Sequence, residues 1–204
     1  NSSPRELADN HIANITVLSD VRAFLSRLKE AAATVTVDAN WAEAIRSSRK
    51  DSNKTHEAAA TSSDRPIHPL RLCLDVLRSL GEDDYLCIDG GDIYGWLETA
   101  LNFWALEGRR IGGLVHSGPF DQLGTGVSFA TAAKMNNPDS NVVLICGDGA
   151  FGLAPGLPPE TAFHYDAPIT IVVAKNLSWG MINRQQLAIW NREFMTSLRD
   201  VPYH

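Results

Sequence analysis

Short apolar runs alternate with amphipathic stretches through the last two-thirds of the chain. The segments between the runs have helical spacing and the length that a crossover between parallel strands needs. This alternation predicts an α/β fold, a doubly wound and mainly parallel sheet with helices on both faces. The four runs with the length of buried strands are 85–88, 113–116, 142–146 and 169–174.

The first third of the chain has a different pattern. Residues 15–18 form a short β-type run, and Asp20 precedes an amphipathic helical stretch. One strand and one helix cannot bury a core of their own, so we interpret residues 1–35 as the C-terminal remnant of a central domain. Residues 36–66 are polar, charged and rich in serine, which predicts a partly helical linker. Residues 67–204 are expected to form a further domain, incomplete at its C-terminus.

Composition and charge narrow the class of protein. The 204 residues are 44% hydrophobic with a formal net charge of -6, so there is no basic surface for a nucleic-acid backbone. No apolar stretch approaches the length of a membrane-spanning helix. The three cysteines are far apart and lack CxxC spacing, which is typical of reduced core thiols. We therefore expect a cytoplasmic protein that binds neither nucleic acid nor membranes.

Polar residues follow two of the predicted strands at their carboxyl ends. The run NVVLIC leads into Gly147, Asp148 and Gly149, and the run ITIVVA leads into Lys175 and Asn176. If these strands are neighbours, Asp148 and Asn176 face the crevice where open α/β sheets bind ligands. Their oxygens suit Mg²⁺ bridged to a diphosphate, and the glycines let backbone N–H groups approach phosphates. The alternative is an ordinary strand-ending turn.

This pattern resembles the signature of thiamine-diphosphate-dependent enzymes of the acetolactate synthase and benzaldehyde lyase type. GDGAFG is followed by VVAKNLSWGM, with 28 positions from Asp148 to Asn176. The resemblance implies that Asp148, the Asn176 side chain and the Ser178 backbone carbonyl bind Mg²⁺, and that the amides of Gly149 and Ala150 hold the diphosphate. It further implies cofactor contacts from Gly147, Trp179, Gly180 and Met181.

Two features depart from the family's pattern around this motif. Lys175 stands in place of the first of two asparagines, and the interval is slightly long, around Pro158 and Pro159. The asparagine that carries the metal ligand is retained. Lys175, together with Asp121 in the segment described next, leaves open an interpretation of another class, in which the chain is a non-catalytic paralogue or a regulatory fragment.

A second segment, residues 116–134 (HSGPFDQLGTGVSFATAAK), resembles the loop and helix that pack beneath the cofactor in this family. Leu123 falls where the family places the apolar residue that bends the cofactor and brings its 4'-amino group to the reactive carbon. Without the resemblance, a core leucine is the simpler reading. Asp121 stands where relatives usually have a glycine whose carbonyl accepts from that amino group.

Four residues are candidates for contacting substrate. Asp92 follows the loop after the first strand, although it also fits a helix N-cap. His116 is the one histidine placed at a strand end beside a glycine-rich loop. Gln185 and Gln186 match a QQLA segment of benzaldehyde lyases, with a solvated helix face as the alternative. The spacing from this segment to Tyr203 and His204 also resembles that family.

The resemblance implies an enzyme that forms or breaks carbon–carbon bonds on a 2-oxoacid, as acetolactate synthases do. A benzaldehyde-lyase-like or 2-hydroxyacyl-CoA lyase acting on a 2-hydroxy compound is the alternative. The activating glutamate of this family lies on a pyrimidine-binding domain, normally of another subunit, so we assign no catalytic residue here and expect this segment alone to be inactive. A homodimer or homotetramer is expected, and FAD is possible in the central domain.

Overall fold

The computed structural model describes residues 3–7, 12–153 and 157–202. The chain divides into two compact units, residues 1–45 and 46–204. Helix α2 (Ala39–Lys54) crosses the division. The boundaries at 35 and 66 expected from composition remain a prediction.

The first unit contains a 3-10 turn (Pro4–Glu6) and helix α1 (Val21–Ala31). The helix begins where Asp20 predicts, because the Asp20 carboxylate accepts a hydrogen bond from the Ala23 N–H at 3.1 Å. The predicted strand at 15–18 is wrong, since this segment is irregular and Ile15 is 83% exposed. A strand needs a neighbour to accept its hydrogen bonds, and the described part of this unit supplies none.

The polar segment after α1 is more helical than its serine content suggests. Helix α2 occupies 16 residues, and the short helix α3 (Glu57–Ala60) follows it. Asp38 accepts from the Asn40 N–H at 2.8 Å at the start of α2, and the alanines, lysines and arginines of this stretch favour helix. Ala60 is buried in the core of the second unit.

The second unit is built around a four-stranded sheet in the order β2-β1-β3-β4, and every pairing is parallel. Each strand differs by one residue, at one end, from the run that predicted it. The mainly parallel sheet is therefore confirmed. Its elements are α4 (Pro69–Ser79), β1 (Tyr85–Asp89), α5 (Asp92–Leu106), β2 (Gly113–Val115), α6 (Gly126–Asn136), β3 (Val142–Gly147), α7 (Asp148–Gly152), α8 (Leu157–His164), β4 (Thr170–Ala174) and α9 (Gly180–Trp190).

Two hydrophobic clusters cover the two faces of the sheet. Leu86 and Ile145 pack with α4 and α5 on one face. Cys87 and Leu144, which neighbour them along β1 and β3, pack with α6 on the other. The expected helices on both faces are therefore confirmed. Because the helices cover both faces, a ligand can approach the sheet at the loops that follow the strands.

All three cysteines lie in the hydrophobic clusters of the second unit. Cys73, Cys87 and Cys146 are free and buried, and burial raises the pKa of each thiol to about 12. None of the helices formed by residues 3–7, 12–153 and 157–202 is long and apolar enough to cross a bilayer.

Candidate functional site

Asp148 joins the carboxyl ends of β3 and β4. Its side chain is buried, and one carboxylate oxygen accepts from the Leu177 N–H at 2.8 Å while the other accepts from the Gly149 N–H at 3.0 Å. Because β3 and β4 are adjacent and parallel, their ends lie at the same edge of the sheet. The expectation that the two polar clusters meet there holds in the structure.

The loop after β4 is folded tightly around Asn176. The Asn176 side-chain oxygen accepts from the Ser178 N–H at 3.0 Å, and Leu177 between them has a left-handed backbone with φ of 57°. The Ser178 hydroxyl oxygen is buried and has no hydrogen-bond partner among the described residues. A buried polar atom of this kind marks a place where a ligand oxygen or water can bind.

Glycines allow three polar loops to approach one another. A Cβ on Gly149 would lie 2.6 Å from the Trp179 ring. A Cβ on Gly180 would lie 2.8 Å from the Asn176 amide nitrogen and 3.0 Å from an Asp92 carboxylate oxygen. A Cβ on Gly91 would likewise lie 3.2 Å from the Met181 side chain. Residues 89–92, 147–150 and 176–181 therefore lie close together and form the candidate site.

The segment expected beneath the cofactor lies beside α7. Asp121 has φ of 50° and ψ of 29°, the left-handed conformation that glycine adopts readily, so the substitution keeps the backbone angle that glycine would favour. Gly124 approaches Leu153 at the end of α7, where an added Cβ would lie 3.1 Å away. Leu123, between them, is partly exposed and is not a fully buried core residue.

Asp89 is a buried carboxylate beside the candidate site, and no separate role was predicted for it from the sequence. It is buried at the end of β1, and its carboxylate accepts from the Gly126 N–H at 2.7 Å, which ties the start of α6 to the sheet. Burial raises the pKa of Asp89, against the opposing effect of the Gly126, Gly124 and Thr125 N–H groups. The signal available in the sequence was a carboxylate at the end of a buried strand, directly before two glycines.

Two of the substrate candidates, Asp92 and Gln186, have structural partners. Asp92 is the first residue of α5, not its N-cap, and forms an ion pair with Arg184 of α9. Gln186 accepts from the Phe194 N–H at 2.7 Å, whereas Gln185 is exposed. A role for any of them in substrate binding remains a prediction.

His116 stands apart from the other candidates. It follows β2, and β1 separates that strand from β3 and Asp148. Its Nδ1 accepts from the Gly118 N–H at 3.0 Å, and its ring lies 5.5 Å from the Tyr94 ring. The structure therefore does not place His116 at the meeting point of β3 and β4.

The donor set fits a divalent metal bound together with phosphate. Asp148 supplies a carboxylate and Asn176 an amide oxygen, both hard donors of the kind Mg²⁺ prefers. No group of three or more His, Cys, Asp or Glu side chains within the described residues could hold a metal unaided. A metal here must therefore also draw on carbonyl, phosphate or water oxygens, which suits a site for a diphosphate.

Comparison with known families matches residues 89–202 to the thiamine pyrophosphate enzyme C-terminal TPP-binding domain. The match covers more than half of the chain. The chain belongs to this family. Every candidate residue named above lies within the match, whereas Tyr203 and His204, which the resemblance to benzaldehyde lyase also used, lie outside the described residues.

Individual relatives within this family carry two kinds of name. A probable acetolactate synthase of Mycobacterium bovis is 30% identical over 185 residues, covering 88% of this chain and 31% of the relative. The human 2-hydroxyacyl-CoA lyase 2 is 29% identical over 189 residues, covering 92% of this chain and 29% of the relative. A probable acetolactate synthase large subunit of Methanocaldococcus jannaschii is 28% identical over 191 residues, covering 90% and 31%. The chain thus spans about a third of the length of these relatives.

Proposed function

We propose that this chain is the diphosphate- and Mg²⁺-binding part of a thiamine-diphosphate-dependent enzyme that forms or breaks a carbon–carbon bond. The observation that carries the proposal is the 2.8 Å hydrogen bond between the Asp148 carboxylate and the Leu177 N–H. It joins the GDG turn to the loop of Asn176, so that the two halves of the family's motif form one site. The proposal is supported by the buried, unpartnered Ser178 hydroxyl beside them.

Each residue has a separate task in this proposal. Asp148, Asn176 and the Ser178 carbonyl hold Mg²⁺, while the Gly149 and Ala150 amides bind the diphosphate. When bound, thiamine diphosphate would supply a carbon nucleophile for a carbonyl group and a ring that serves as the electron sink for the adjacent bond.

The cofactor rings require contacts beyond those to the diphosphate. Leu123 would pack against the bound rings and orient them for reaction, and the Asp121 carbonyl would accept a hydrogen bond from the pyrimidine amino group. We expect the activating glutamate from a pyrimidine-binding domain of another subunit or chain, in a homodimer or homotetramer. This chain therefore anchors and orients the cofactor, and by itself is expected to be inactive.

Two substrate classes compete within this chemistry. The leading candidate is a 2-oxoacid, in an acetolactate-synthase-like carboligation. The second is a 2-hydroxy compound, either a benzoin or a 2-hydroxyacyl-CoA, in a lyase reaction. It is favoured by the similarity to the human 2-hydroxyacyl-CoA lyase 2, which extends over 92% of the chain.

The test has two stages, performed on the full-length protein. Calorimetric titration with thiamine diphosphate, with and without Mg²⁺, should show binding that depends on the metal; absence of binding in both conditions would support the non-catalytic alternative and refute the proposal. Product analysis with pyruvate, benzoin and a 2-hydroxyacyl-CoA then separates the substrate classes. Acetolactate from pyruvate identifies a carboligase, and an aldehyde from the other two identifies a lyase.

A further inference from the structure

A segment after α9 runs back along the loop that carries the proposed metal ligands. We call residues 175–179 the ligand loop and residues 193–201 the return segment. The Trp179 N–H donates to the Thr196 carbonyl at 2.8 Å, and the Leu198 N–H donates to the Leu177 carbonyl at 2.7 Å. These two hydrogen bonds flank an antiparallel bridge between Ser178 and Ser197. The return segment is therefore paired in register with the ligand loop.

This pairing uses the backbone groups on either side of Ser178. Neither of the two hydrogen bonds involves the Ser178 carbonyl, because in an antiparallel pair every second residue faces its partner without bonding to it. Leu177 is held in a left-handed conformation that leucine rarely adopts. The return segment thus fixes the loop's backbone and leaves the carbonyl of the proposed metal ligand unused by the pairing.

Side chains fasten the return segment at the end nearest to α9. Thr196 is buried, and its hydroxyl accepts from the Asn183 amide at 2.8 Å and donates to the Glu193 carboxylate at 3.0 Å. The Ser197 hydroxyl donates to the same carboxylate oxygen at 2.7 Å. These hydrogen bonds lower the pKa of Glu193. This end of the segment is therefore attached to α9 through Asn183.

Lys175 fastens the other end. Continuing the register outward from the Leu177–Leu198 pair places residue 175 opposite residue 200, and Lys175 forms an ion pair with Asp200 there. Its ammonium group also donates to the Val201 carbonyl at 3.0 Å. The lysine that replaces the family's asparagine thus contacts the return segment.

We propose that Lys175 is a positioning residue that acts through Asp200. By holding the return segment against the ligand loop, it sets the orientation of Asn176 and Ser178 for the metal. The inference rests on the proposed function for its metal readout alone, since the pairing itself can be measured without metal or cofactor. The competing role, direct contact between Lys175 and the cofactor's phosphates, predicts a different pattern of rescue.

The experiment exchanges the two charges in the full-length protein. Lys175→Asp, Asp200→Lys and the double variant are compared by amide hydrogen exchange at Trp179 and Leu198, without metal or cofactor. Each single variant should speed exchange by roughly two- to fivefold, the range set by exposed ion pairs, and the double variant should return it toward the wild-type rate. The control is Arg71→Asp, which disturbs the ion pair of Arg71 with Asp75 on α4 and should leave both amides unchanged.

A second readout is the Mg²⁺ concentration that gives half-maximal thiamine diphosphate binding. It should rise by a similar factor in both single variants and recover in the double variant. Unchanged amide exchange in the single variants would overturn the proposal. So would a loss of cofactor binding in Lys175→Asp that Asp200→Lys neither reproduces nor rescues, because that outcome assigns Lys175 to the phosphates. Wild-type protein that binds no cofactor refutes the proposed function, while the exchange rates still decide the role of Lys175.

Discussion

Replacing Asp148 with asparagine tests the centre of the site with little change in volume. In the native protein, the two carboxylate oxygens accept from the Leu177 and Gly149 N–H groups at 2.8 and 3.0 Å. An asparagine has one oxygen, so one of these N–H groups would face an NH₂ group and lose its acceptor. Leaving a buried donor unsatisfied costs about 1–3 kcal/mol. We therefore expect Asp148→Asn to lower the free energy of unfolding of the cofactor-free protein by that amount.

The same substitution should have a larger effect on cofactor binding. It removes the only carboxylate among the proposed metal ligands, and even outer-shell partners of metal sites contribute about 10- to 100-fold to affinity. Mg²⁺-dependent affinity for thiamine diphosphate should therefore fall more than about 100-fold.

Urea unfolding measures the first effect and calorimetric titration of the full-length protein the second. Asp75→Asn is the matched control, because it removes the same charge from an exposed ion pair with Arg71 on α4. Exposed pairs contribute at most about 1 kcal/mol, and this one is remote from the cofactor loops in sequence. Wild-type Mg²⁺ dependence in Asp148→Asn would refute the assignment of the metal site. An unchanged free energy of unfolding in Asp148→Asn would refute the role of the hydrogen bonds from Leu177 and Gly149.

Three further substitutions test other parts of the site. Gly149→Ala should lower the free energy of unfolding in urea by about 1–3 kcal/mol, since its Cβ would lie 2.6 Å from the Trp179 ring. The control is Gly95→Ala on α5, where a Cβ meets open space, and it should raise the free energy of unfolding by up to about 1 kcal/mol. Leu123→Ala should lower kcat more than thiamine diphosphate affinity; equal losses would contradict a role in ring geometry. The raised pKa of Asp89 adds stability below the unfolded value of 3.8 that is lost as pH rises through the folded pKa. Asp89→Asn should remove this loss of stability when the free energy of unfolding is measured as a function of pH.

The parts of the fold that could be predicted from sequence are those in which local pattern and topology agree. The strands that lead into Asp148 and Asn176 are apolar runs, and a parallel sheet brings their carboxyl ends to one edge. The left-handed backbone at Asp121 is compatible with the glycine expected there. The strand predicted at 15–18 is wrong because a strand forms only beside a partner strand, and the residues of one segment do not reveal whether a partner exists.

The contacts that escaped sequence reasoning join residues without a periodic pattern. The acceptor role of Asp89 depends on Gly126, 37 positions along the chain. The pairing of Ser178 with Ser197 is an isolated bridge, too short to produce an alternation of apolar and polar residues. Interactions of this kind follow from the assembled sheet and are visible only in three dimensions.

The long separations along the chain also have a consequence for folding. The bonds that close the site join residues 37 and 29 positions apart, so a partly folded chain that lacks the β1-β3-β4 pairings contains no such site. A ligand of this site would then bind the native state alone. It would stabilise the whole second unit by mass action, by about 2.7 kcal/mol at a concentration 100 times its dissociation constant. The melting temperature of the protein thereby becomes a direct measure of ligand binding.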